Sequence, residues 1–244
     1  MRTLSSLMVV VLCGSAAAGG IVSVSYGSLT GDLIEGFEGF DDGTGFEGAN
    51  YEGVVTNGLG LLFGERFAGQ SVGNGTNQSG NGVHDVIGGD PSGGLNPVAG
   101  AAFQNSVVGD TTPFGGSGHA IGGLSSVGWP DFQAIGEGAM CVLFEVDQPD
   151  VGFGVFGDTG PGDLRIAFFA RDGSVLGSVT IDEVSNGSYG FATDDGSASI
   201  AGILLTNTED EGIAYDNIRY HSVPTPGAAC LPLACIAAWR RRCR

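Results

Sequence analysis

Glycine decides what this chain can fold into. It supplies 46 of the 244 residues, and it follows no three-residue period. A collagen-like helix is therefore excluded. A glycine inside an α-helix is destabilising by roughly 0.5–1 kcal/mol relative to alanine, so long helices are excluded at this density too. Here the glycines fall between short apolar runs, where a left-handed backbone or a tight turn needs them. No stretch of residues 19–222 carries the three-to-four-residue apolar period of an amphipathic helix. Short apolar runs divided by turn residues specify an all-β protein.

The second half is the more regular. Apolar runs at 139–146, 151–156, 164–170, 175–181, 188–193, 199–205 and 212–220 predict successive strands. Val151, Phe153 and Val155 alternate with Gly152, Gly154 and Phe156. Arg171-Asp172-Gly173-Ser174 lies between two such runs, and Asp-Gly in that setting is a hairpin signal. Repetition at about ten residues predicts an antiparallel β-sandwich, jelly-roll-like in form.

In the first half, 21–30 reads as a lead-in. Residues 31–53 alternate aromatics with glycine and acid, and Phe37, Phe40 and Phe46 would anchor a first strand and the loop after it. The run 59–63 reads as buried, and 83–87, 98–103 and 132–135 as weaker strands. Residues 71–82, SVGNGTNQSGNG, read as a mobile polar loop. One body over 19–222 is expected, clearest in 138–222. Whether its halves form one sandwich or two packed parts is left open.

Charge narrows the partners. Between residues 19 and 222 there are four arginines, no lysine and all 27 acidic residues, so this body is more acidic than the whole chain at −18. Such a surface repels nucleic acid and anionic lipid and attracts cations. Of the five cysteines only Cys141 falls in the body, which rules out an intramolecular disulfide framework there. Its apolar surroundings make it a small core residue.

Both ends carry addresses. Residues 1–18 hold Arg2, an apolar run at 7–12 and Ser15-Ala16-Ala17-Ala18, the pattern of a secretory signal peptide cut after Ala18. Cys13 is preceded by Leu12 rather than a small residue, which argues against a lipoprotein signal. Residues 223–244 run from Pro224-Thr225-Pro226 through an apolar segment, 227–239, to Arg240, Arg241, Arg242 and Arg244. A helix over that segment would span roughly 20 Å at about 1.5 Å per residue. The bilayer core is about 30 Å, so the tail is a marginal anchor helix with a basic stop on the cytoplasmic side.

These three parts in order resemble a PEP-CTERM sorting signal, with Thr225 where that family has Glu. The resemblance implies export to the cell surface, outer membrane or extracellular matrix. It also implies processing by an exosortase and transient membrane association through the tail. The second half is similar to the β-sandwich bodies that such proteins carry, which end in a strand like Ile213-Ala214-Tyr215-Asp216-Asn217-Ile218-Arg219-Tyr220.

A further resemblance concerns Glu35-Gly36-Phe37-Glu38-Gly39-Phe40-Asp41-Asp42-Gly43 and Asp216-Asn217. Jelly-roll carbohydrate-binding modules carry an early Phe-Glu and a late Asp-Asp or Asp-Asn on adjacent first and last strands, stapled by calcium. This implies a structural calcium held by Glu38 and Asp216, with Asp41 or Asp42 and backbone carbonyls. Calcium takes six to eight oxygens in loose geometry, so the residue types suit it. The alternative is that these are ordinary turn and edge carboxylates.

Other signals are weaker. Gly69-Gln70-Ser71-Val72-Gly73 has the G-x-S-x-G form, but a polar loop follows where a nucleophile elbow needs a helix. His84, His119 and His221 lack metal-ligand spacing and read as surface or loop residues. No carboxylate is marked as a general acid. Trp129, Tyr51, Tyr189 and Tyr215 can stack on sugars or pack in the core. The expectation is a non-enzymatic structural or adhesive protein of the cell surface or matrix. The alternatives are a calcium-stabilised module binding extracellular polysaccharide and a secreted hydrolase. Exposed aromatics on a concave sheet face would favour the carbohydrate module.

Overall fold

The hairpin at Arg171-Asp172-Gly173-Ser174 forms as the sequence predicts. Gly173 takes φ +88°, and its N–H donates to the Ala170 carbonyl at 2.9 Å. The Asp172 carboxylate accepts from the Ser174 N–H at 2.9 Å. The computed structural model describes residues 20–223 other than 46, 78, 79, 81, 115, 117 and 158–161. Residues 1–18, expected as a signal peptide, Phe46, and the expected sorting-motif residues Pro224, Thr225, Pro226, Arg240, Arg241, Arg242 and Arg244 lie outside the described residues.

The strands are β1 (Ile21–Val24), β2 (Leu33–Glu35), β3 (Ala49–Tyr51), β4 (Val55–Thr56), β5 (Leu61–Gly64), β6 (Arg66–Phe67), β7 (Ser71–Thr76), β8 (Val83–Gly88), β9 (Pro97–Val98) and β10 (Ser106–Asp110). There follow β11 (His119–Leu124), β12 (Ile135–Gly138), β13 (Met140–Gln148), β14 (Asp150–Phe156), β15 (Leu164–Phe169), β16 (Val175–Ile181), β17 (Gly187–Thr193), β18 (Ile200–Asn207) and β19 (Ala214–Tyr220). Three short 3-10 turns and no α-helix accompany them among the described residues.

Two antiparallel sheets carry the fold. The nine-stranded sheet runs β1-β17-β14-β19-β11-β10-β3, with β12 beside β11 and β2 beside β19. The six-stranded sheet runs β16-β15-β18-β13-β5-β4. Both take strands from each half of the chain. Alternation along each strand sends every second side chain inward. Val108, Ile121, Phe153, Val155, Phe191 and Tyr215 of the first sheet meet Phe63, Val142, Phe144, Ile166, Phe168 and Ile203 of the second in one buried cluster. This shared core is the packing of a β-sandwich. Each buried phenylalanine contributes about 2–3 kcal/mol by removal of apolar area from water.

The outer face of the six-stranded sheet is covered as well. Phe67, Leu95, Ala139, Cys141, Phe169, Ala201 and Leu204 form a second cluster there. The pairs β6–β9 and β7–β8 belong to this cover. Cys141 is wholly buried, and burial pushes its thiol up from the ordinary range.

The first half departs from its sequence reading at several points. The expected lead-in contains β1, an edge strand on β17. The polar stretch expected as a mobile loop is β7 over Ser71–Thr76, paired residue for residue with β8. Backbone hydrogen bonds carry this ladder, and a Cβ at Gly75 would lie 2.4 Å from His84 Nε2, so glycine lets the two strands close. The run 98–103 yields only the end of β9, and 132–135 is a 3-10 turn entering β12. Strands β3, β10 and β11 carry too few large apolar residues to stand out.

Candidate functional site

The outer face of the nine-stranded sheet holds a groove of about 280 Å³. Val108, Ile121, Val155 and Tyr215 point into the core. Their neighbours Val107, Gly109, Ala120, Gly122, Phe156 and Ala214 therefore form the floor. Glycine and alanine keep that floor low. The walls come from Glu47, Gly48, Phe132, Ile135, Gly136 and the 211–213 segment. Phe132, on the 3-10 turn Phe132–Ala134, is 56% exposed.

One wall is braced from behind. Trp129 donates from Nε1 to the Glu47 carbonyl at 2.9 Å and stacks on Phe103 with ring centroids 6.4 Å apart. Val107, Leu124 and Ala134 pack beneath Trp129 and Ile135. At the rim, Asp110 accepts from the Thr112 N–H at 2.8 Å and from its hydroxyl at 2.7 Å. Those bonds hold its carboxyl below the usual range. An ionised rim carboxylate bonded within its own turn is a hydrogen-bond acceptor, not a proton donor. The groove thus combines two phenylalanine faces, exposed backbone and acidic rim groups.

β2 and the last strand, β19, lie side by side, while β1 pairs instead with β17. Leu33, Ile34 and Glu35 pair with Tyr220, Arg219 and Ile218. Glu38 and Asp216 come close enough to influence each other. Burial pushes Asp216 up to about 6, the Asn217 N–H opposes this, and the Glu38 and Glu35 carboxylates add to the rise. Asp216 nevertheless has partners in Asn217, whose backbone N–H and side-chain amide donate to it at 2.6 and 2.7 Å. Glu38 accepts from the His119 N–H at 3.2 Å.

The other two expected ligands have partners of their own. Asp41 accepts from the Gly43 N–H at 3.0 Å, and Asp42 lies 3.3 Å from His119 Nε2. Asp41 therefore caps the 41–43 turn, whereas Asp42 and Glu38 both meet His119. Among the described residues no group of three or more His, Cys, Asp or Glu side chains is arranged to hold a metal ion.

The remaining sequence signals separate clearly. Ser71 opens β7, a hairpin strand with no helix after it, and its hydroxyl donates to the Gly88 carbonyl at 3.2 Å. The three histidines are spread over the fold and none is fully exposed. His84 is buried, and burial pushes its imidazole pKa down. His221 stands 3.5 Å from Asp150. Tyr215 is core, at 1% exposure, so it cannot stack on a ligand. Phe132 and Phe156, rather than Trp129 or the tyrosines, are the aromatic residues that line the groove. Paired glycines in a strand, Gly122-Gly123, were the available sign of the groove, because strand glycine marks a close approach.

No known family model matches the chain, and no curated protein matches it.

Proposed function

We propose that this is an exported, non-catalytic β-sandwich protein of the cell surface or extracellular matrix that adheres by holding polysaccharide in the groove. The observation that carries the reading is Phe132 exposed over a glycine-lined, acid-rimmed floor. Sugars present apolar faces that stack on aromatic rings, and hydroxyls that donate to carboxylates and carbonyls.

The jelly-roll assignment rests on strand order. Counting β11 and β13 to β19 as eight strands, one sheet reads β11-β19-β14-β17 and the other β13-β18-β15-β16. Successive strands cross between sheets except at the β15–β16 hairpin, as two interlocked Greek keys require. A structural calcium between Glu38 and Asp216 would relieve their mutual repulsion. The signal peptide over 1–18 and the PEP-CTERM-like tail supply the route: export, exosortase processing and transient membrane association.

The test is binding of the purified protein to a polysaccharide panel, with Phe132→Ala and Gly109→Val as probes. A Cβ at Gly109 meets nothing closer than 3.7 Å, so valine fills the floor without a backbone clash. Both variants should lose about tenfold or more in affinity while keeping the wild-type melting temperature. Binding unchanged in both would refute the groove.

A further inference from the structure

We propose that Glu137, together with the 207–211 turn, forms a calcium site separate from Glu38 and Asp216. Glu137 lies on β12 and is only 3% exposed. Its Oε2 is buried with no hydrogen-bond partner. Asn77 donates to this carboxylate from its side chain. Gly82 makes room for that contact: a Cβ there would lie 2.3 Å from Asn77 Nδ2 and 3.6 Å from Glu137 Oε1.

The groups facing Glu137 share its sign. Glu209 is wholly buried. Burial pushes Glu137 up to about 8, with Glu209, Asp210 and Glu211 adding to the rise and Asn77 opposing it. No cationic side chain acts on it. The body has no lysine, and three of its four arginines serve elsewhere. Arg66 pairs with Glu65, Arg171 with Asp147, and Arg219 donates to the Gly31 carbonyl.

The acids are held together by design of the backbone rather than by chance proximity. The Gly136 carbonyl, one residue before Glu137, accepts from Asn207 Nδ2 at 2.8 Å and from the Ile213 N–H at 3.1 Å. The 207–211 turn is closed by Glu209, whose Oε2 accepts from the Glu211 N–H at 2.9 Å. β12 and the turn therefore cannot separate to relieve the repulsion.

A buried carboxylate with one oxygen unpartnered is costly unless a proton or a cation joins it. Every available donor atom is oxygen, which selects a hard cation. Three side chains do not converge unaided, so backbone carbonyls and water complete a shell whose number and spacing calcium tolerates better than magnesium. The inference is independent of the glycan reading.

The test is calcium titration of the purified, chelator-stripped full chain by calorimetry and thermal unfolding at pH 7.5. Wild type, Glu137→Gln, Asp210→Asn and Asp216→Asn would be compared. Saturating calcium should raise the melting temperature by about 5 °C or more. The high-affinity site should persist in Asp216→Asn, weaken about tenfold in Asp210→Asn and disappear in Glu137→Gln. Glutamine keeps the shape and removes the charge, so Glu137→Gln should unfold no earlier than stripped wild type. If Glu137→Gln fails to fold, the Asp210→Asn weakening still decides. Absence of calcium binding would overturn the proposal and leave Glu137 simply protonated. Unchanged affinity in both Glu137→Gln and Asp210→Asn, or loss confined to Asp216→Asn, would equally overturn it.

Discussion

Replacing Asp85 by asparagine should stabilise the protein at pH 8 and leave it nearly unchanged at pH 4. Asp85 sits on β8, is 3% exposed, and accepts from the Ala139 N–H at 3.0 Å, fixing the β7–β8 hairpin to the β12–β13 junction. Burial pushes its carboxyl up to about 7 from 3.8, with the Ala139 N–H opposing, Glu65 adding and Arg66 opposing. The folded state therefore binds more protons than the unfolded chain between pH 4 and 7. Stability from this group is present below about pH 4, falls as pH rises to about 7, and is level above. Three units correspond to about 4 kcal/mol at 1.36 kcal/mol each. Protein relaxation and partial hydration reduce this to about 2 kcal/mol. Asparagine keeps an acceptor for Ala139 and carries no charge.

The assay is urea unfolding of both proteins at pH 4 and pH 8 with chelator present. With a slope near 3 kcal/mol/M for a chain of this size, the pH 8 midpoint should rise by about 0.7 M. Glu137 and Asp216 titrate in the same window, but neither is among the charges acting on Asp85, so they cancel in the difference. An equal wild-type-to-variant difference at both pH values, or a variant less stable at pH 8, would refute the reasoning.

Two further outcomes are expected. Gly202→Ala should destabilise by about 1–3 kcal/mol, because its Cβ would lie 2.7 Å from Phe67 Cζ and 2.9 Å from the Val142 carbonyl oxygen; a melting temperature within a degree of wild type would contradict this. The exported form should lack residues 1–18 and part or all of 227–244, which intact mass measures; a retained arginine cluster would contradict processing.

The strands from 139 onward were readable because each is a nearly unbroken apolar run closed by a turn signal, so local composition and global position agree. Asp172-Gly173 specified its hairpin through φ at Gly173 and the Asp172 carboxylate on the Ser174 N–H. The surroundings of the four carboxylates expected to hold calcium were readable only in part. The early and late segments that carry Glu38 and Asp216 do lie together, through the pairing of β2 with β19. The sequence does not reveal that Asp41 caps the Gly43 N–H or that Asp42 and Glu38 both meet His119. That choice depends on the loop path, which no residue spacing encodes.

By itself the sequence determined an all-β, acidic body without a disulfide framework. Glycine frequency, apolar run length and charge are properties of the chain that hold in any conformation. Only the tertiary structure decided that Phe132 stands over a glycine floor, that Tyr215 is core, and that Glu137 meets the 207–211 turn. These are contacts between strands far apart in sequence, selected by burial of Phe63, Phe144, Phe153 and Phe168 between two sheets. The free energy of that burial depends on the whole core closing at once, so short sequence windows carry no record of which neighbours it creates.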